Sequence, residues 1–175
     1  LLAVLSLGES AAFRISRQDW LFAGAKIDPL HEAGAGLGFW AVVYFCLNFV
    51  LATRWGFVET FFGGMDKAYK AHGLAGKMGF YFVLLHMLIL TVQAAPDLEL
   101  VSQYLVPGLH WGYSFGALGT AALVVLVTLT LWVKIPYSPW LSTHKLMIVP
   151  FLAGVTHAYI LQQDWYMTVL GLLGT

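Results

Sequence analysis

Apolar side chains fall in long blocks along the chain. Residues 34–53, 73–94 and 115–133 form three such blocks, and a fourth covers 142–161. A helix crosses the hydrocarbon of a bilayer with about 20 mostly apolar residues, so the pattern predicts four spanning helices. Two shorter apolar runs flank them, residues 1–7 and 165–175. Each is too short to cross alone and reads as the end of one helix and the start of another. The expected fold is all-α, an integral membrane bundle of six helices with the first and last truncated, occupying residues 1–175 as one domain.

The connections carry the charges and helix breakers that a span cannot. They are Ile27 to Glu32 with Pro29, Gly63 to Lys70, Ala95 to Pro107, and Ile135 to Pro139. If successive helices alternate in direction, Arg54, Lys67, Lys70, Lys77, Lys134 and Lys145 fall on one side, and Arg14, Arg17 and Lys26 on the other. Lysine and arginine near helix ends favour the cytoplasm, which assigns the first side there. Composition agrees with a membrane location: 59% of residues are hydrophobic and 10% charged, with a mean hydropathy of +0.76. A net charge of zero gives no footprint for nucleic acid. The single cysteine, Cys46, lies inside an apolar run. It excludes a disulfide framework, a thiolate iron–sulfur site and covalent haem attachment through CxxCH.

Histidine is uncommon within a span, because its polar ring needs a partner there. Two spans carry two histidines each. His72 and His86 are 14 residues apart, and His144 and His157 are 13 apart. At about 1.5 Å per residue each separation is roughly 20 Å along the axis, which places one histidine of each span near either face of the bilayer. Haem iron with two axial nitrogens needs one histidine from each of two facing helices at equal depth. His72 then pairs with His144, and His86 with His157, as ligands of two stacked b-type haems. A tetrahedral zinc site would need ligands converging on one point. A spacing of 14 returns to nearly the same helix face, but 13 leaves the second ring about 140° away at 100° per residue. The span 142–161 must therefore be kinked, overwound or bulged, and Pro150 is the expected place. Gly73, Gly76, Gly79 and Gly154 fit either haem clearance or close helix packing. His31 and His110 lie near the outer ends of spans and read as interfacial residues, with a role near the electron exit as the alternative.

The stretch GGMDKAYKAHGLAGKMGFYFVLLHMLIL, residues 63–90, resembles the third-helix region of the ferric reductase-like transmembrane domain, shared by ferric reductases, NADPH oxidases and bacterial relatives. YSPWLSTHKLMIVPFLAGVTHAYI, residues 137–160, resembles its fifth helix, and the histidine spacings of 14 and 13 match that family. The resemblance implies two haem b groups held by His72, His144, His86 and His157, and a domain binding FAD and NAD(P)H beyond the sixth helix or on a partner. It implies electron transfer from that cytoplasmic donor to an acceptor outside, ferric iron or oxygen, in a bacterial inner membrane. Phe151, about midway between His144 and His157, is the candidate electron relay. Arg54 and Lys145 are candidate propionate partners for the inner haem, and Arg14 or Arg17 for the outer. Two other readings remain open. One is a haem-binding membrane subunit passing electrons from quinone or flavin to a periplasmic reductase. The other is a non-redox transporter or scaffold.

Overall fold

The computed structural model describes residues 28–173, and side chains as far as Leu161. The described elements are helices: α1 Pro29–Ala52, α2 Gly56–Phe62, α3 Met65–Ala94, α4 Leu98–Leu105, α5 Trp111–Leu131, α6 Tyr137–Lys145 and α7 Ile148–Leu173. Four stretches are long and apolar enough to cross a membrane, namely α1, α3, α5 and Tyr137–Leu161 across α6 and α7. Leu88, Val92, Val125, Val149 and Leu152 are each more than half exposed on these helices. Such an apolar exterior is stable facing lipid and costly facing water, so the chain is an integral, multi-pass membrane bundle.

Helix boundaries depart from the sequence reading for local reasons. Pro29 begins α1 instead of interrupting a loop. It stands at the first helical position, where its missing N–H would have no partner anyway, and the Asp28 side chain accepts the N–H of Leu30 and His31. The loop 95–107 contains α4, capped by Asp97. Pro139 sits in the first turn of α6, again where no intrahelical bond is lost. Between α2 and α3 the chain reverses through Gly63 (φ 67°) and Gly64 (φ 133°), conformations that side chains with a Cβ rarely adopt. The run 165–175, read as a new helix, instead continues α7 to Leu173. No proline or glycine stands between Gly154 and Gly171 to stop it. The run 1–7 lies outside the described residues.

The helices pack as two pairs. Helix α1 lies chiefly against α3, and α5 against α7, with few contacts between the pairs. A cavity of about 1820 Å³ fills the space between them. One end of the bundle carries Arg54, Lys67, Lys70, Lys134 and Lys145, and is called here the basic end; Lys77 stands further along α3, between His72 and His86, on the cavity wall. The other carries Asp28, Glu32, Asp97 and Glu99, and among the described residues no lysine or arginine.

Candidate functional site: two histidine pairs in one cavity

The expected break in the span 142–161 falls at Leu146–Met147, between α6 and α7. Pro150 accounts for that position. Its missing N–H deprives the carbonyl four residues back, that of Leu146, of a partner, and its ring crowds the same carbonyl. The backbone tightens in response. Leu146 bonds to Thr143, Met147 to His144 and Val149 to Leu146, each three residues back. A residue in such a tightened turn advances about 120° instead of about 100°. The extra rotation swings His157 towards the side of His144, as the 13-residue spacing requires.

All four histidines line the cavity. The rings of His72 and His144 have centres 5.9 Å apart with planes at 66°. Those of His86 and His157 lie 6.2 Å apart at 73°. Each pair thus joins α3 to the α6–α7 segment, one at the basic end and one at the acidic end.

Three of the four rings are anchored alike. His86 Nδ1 lies 2.7 Å from Gly34 O, His157 Nδ1 lies 2.8 Å from Gly112 O, and His72 Nδ1 lies 3.0 Å from Asn48 O. A carbonyl only accepts, so each Nδ1 carries the proton and donates it. Each Nε2 is left with a free lone pair. His144 differs: its Nδ1 is buried without a partner, and its ring instead stacks on Trp140, centres 5.0 Å apart and planes at 8°.

The two acidic-end rings occupy the same kind of seat. A Cβ on Gly38 would stand 2.8 Å from His86 Nδ1, and one on Gly116 would stand 2.8 Å from His157 Nδ1. Gly34 packs against Ile89 and Leu90, and Gly112 against Ile160 and Leu161, in each case three and four residues past the histidine. The seat is thus Gly-x-x-x-Gly on one helix of a pair, receiving His-x-x-Ile-Leu from the other. Sequence reasoning missed these four glycines, although the small-xxx-small spacing of 34/38 and 112/116 was a readable signal for close helix approach.

The glycines singled out from sequence separate into two groups. Gly79 meets Phe45 and Gly76 meets the Asn48 side chain, so both permit helix packing, whereas Gly73 and Gly154 face open space along the cavity wall. Phe151 also lines the cavity and meets Phe49 of α1 edge to face, with centres 4.9 Å apart. Lys145 reaches the cavity at the basic end. Arg54 does not line it. Its Nε donates to the Tyr69 hydroxyl at 2.7 Å. Arg14 and Arg17 lie outside the described residues.

At the acidic end, Gln93 Nε2 donates to Asp28 Oδ2 at 2.6 Å, and Gln93 Oε1 lies 3.3 Å from His31 Nδ1. His110 precedes α5 and packs on Tyr113, which meets Tyr104 of α4. Burial, reinforced by Tyr113, pushes the Tyr104 phenol above its ordinary range. Among the described residues no three His, Cys, Asp or Glu side chains converge as a metal ion would need. What the arrangement offers is two separate pairs of facing imidazole nitrogens.

Comparison with curated proteins and with solved structures gave no match. The family model described as ferric reductase like transmembrane component matches residues 37–155, a stretch that holds His72, His86 and His144 and ends two residues before His157, and the chain belongs to that family.

Proposed function

We propose that the chain carries electrons across the membrane, with His72 and His144 as axial ligands of one b-type haem and His86 and His157 as those of a second. Membership in the family suggests transmembrane electron transfer in general. The observation that carries the finer reading is the facing of two imidazole pairs across the cavity, 5.9 and 6.2 Å between ring centres. An iron shared by two such imidazoles, about 2 Å from each nitrogen, would set their ring centres about 6 Å apart. Both pairs have that separation. A ligand pocket for one drug-sized molecule occupies about 300–1,000 Å³, and 1820 Å³ suits two large planar groups.

When bound, each haem iron supplies a one-electron ferric/ferrous couple. The protein does the rest by holding and shielding. Donation from Nδ1 to a helix carbonyl fixes the tautomer of His72, His86 and His157, aims Nε2 into the cavity and makes that nitrogen more basic. Gly73 and Gly154 leave wall space for a flat ring. Phe49 and Phe151 exclude water between the two levels, and Phe151 serves as the relay. Lys145 is placed to neutralise a propionate at the basic end. The basic end faces the cytoplasm by its lysines and arginine, so the donor is a cytoplasmic reduced flavin supplied by NAD(P)H. The acceptor, ferric iron or oxygen, lies on the acidic side.

A reduced-minus-oxidised spectrum of the purified, haem-supplemented protein should show two b-type components. His72→Ala and His144→Ala should each remove the same component, and His86→Ala and His157→Ala the other. Absence of b-type absorbance in the unaltered protein overturns the reading, as does a shared phenotype of His72→Ala and His157→Ala.

A further inference from the structure

Three cavity histidines donate Nδ1–H to a main-chain carbonyl of a neighbouring helix, and the fourth has no such acceptor. The Nδ1 of His144 is shielded from solvent and unpartnered, so no hydrogen bond fixes how its ring is turned. Helix α6 also offers little purchase, with nine residues and no buried side chain. Yet the His144 ring faces His72 at nearly the separation of the other pair.

Trp140 occupies the place where an anchor is wanted. It stands four residues before His144, one turn earlier on the same face of α6. The two rings are parallel within 8° with centres 5.0 Å apart, the offset stack that aromatic rings prefer. Trp140 is itself held from two sides. Its Nε1–H donates to Thr130 O of α5 at 3.4 Å, and Tyr137 stacks on it at 5.9 Å and 24°. The plane of His144 is therefore set by a ring that takes its own direction from α5.

We propose that Trp140 is the positioning residue for His144, replacing by stacking the carbonyl anchor that the other three rings use. The inference rests on His144 being a haem ligand. A stack fixes the plane of the ring but accepts no proton from Nδ1. His144 therefore donates less electron density to iron than its three counterparts, and its haem is the more readily lost of the two.

The test uses the full chain loaded with haem, and the variants Trp140→Leu and Trp140→Phe. Low-temperature electron paramagnetic resonance reads the ligand planes at each low-spin iron, and capture by excess apomyoglobin reads haem loss. An aromatic pair is worth about 0.5–1.5 kcal/mol, or roughly two- to tenfold. Trp140→Leu should change one of the two low-spin signals and speed the loss of that haem two- to tenfold, leaving the other as it was. Trp140→Phe keeps a ring to stack on and should restore both readings. Unchanged signals and loss rates in Trp140→Leu overturn the proposal. So does equal loss of both haems, which marks general loosening of the bundle. If Trp140→Leu does not accumulate, Trp140→Met takes its place under the same criteria. A wild-type protein with no b-type spectrum is a different result and refutes the ligand assignment itself.

Discussion

The two ends of the cavity hold the same pair of side chains by different means. At the acidic end both rings donate to a glycine carbonyl and lie on a second glycine, so backbone on α1 and α5 dictates where His86 and His157 point. At the basic end only His72 has a carbonyl, that of Asn48, and His144 rests on Trp140. The difference follows from the helices that carry the rings. His157 sits on α7, which packs along α5, whereas His144 sits on the short α6, beyond the break at Leu146–Met147. Long helices in glycine contact give a rigid seat. A short segment cut off by a proline needs a side chain to do the same work.

The comparison breaks most completely at the acidic end. Gly38→Val or Gly116→Val places atoms within 3 Å of a ring already bonded to a carbonyl, and neither backbone nor ring can yield cheaply. Overpacking of this kind costs about 1–3 kcal/mol, so haem content at that end should fall roughly tenfold or more, as read by the amplitude of one b-type component. The basic-end component should persist. Gly36→Ala on the same helix has nothing within 4 Å of its new methyl and should lose neither; equal loss of both components in the valine variants would refute the separate seats.

A smaller effect is expected at the other end from Pro150→Ala. The substitution restores an N–H for the Leu146 carbonyl and removes the crowding ring, which favours an unbroken helix through Met147. An unbroken helix turns His144 away from the face of His157. Because α6 is the shorter and looser segment, the basic-end haem should be lost several-fold faster, with the acidic-end haem little changed. The reverse order of sensitivity would mean that α7, not α6, absorbs the strain. Asn48→Ala should do less still. The acceptor for His72 is the main-chain carbonyl, and Asn48 Oδ1 has no partner of its own. Haem content at the basic end should stay within about twofold of wild type, and a larger loss would show that the side chain matters.

The spans and the four histidines were legible in the sequence, because block hydropathy and matched spacing both survive without coordinates. The need for a departure near Pro150 was legible too, since a spacing of 13 cannot return to one face. Its placement at Leu146–Met147 requires knowing that proline acts on the carbonyl four residues back. The seats were harder to read. Gly34, Gly38, Gly112 and Gly116 look like ordinary packing glycines until α1 is set against α3 and α5 against α7. Trp140 reads as an interfacial aromatic at a span end, and only the stack on His144 gives it another role. Arg54 shows what charge and position alone leave out. They recommend it for a propionate, while in the structure its Nε donates to Tyr69 and the residue stands off the cavity wall.

The smallest expected effect concerns the acidic end in acid. The Asp28 carboxylate caps α1 and binds Gln93 of α3, six residues before the glycine whose carbonyl holds His86. The Leu30 N–H, with help from the His31 N–H, Gln93 and the His31 charge, holds the carboxyl below its ordinary range against the opposing pull of burial. A carboxyl whose pKa is lowered on folding stabilises the folded state fully above its unfolded value, near 4. That contribution fades as pH falls through the lowered value. Thermal melts at pH 5 and pH 3 should therefore show a larger acid-induced drop in Tm for wild type than for Asp28→Asn, which keeps a capping oxygen but cannot titrate. The accompanying change should appear in the acidic-end component of the spectrum before the basic-end one, because fraying of the first turn of α1 reaches the Gly34 seat first. An equal drop in Asp28→Asn would place the acid-sensitive group elsewhere.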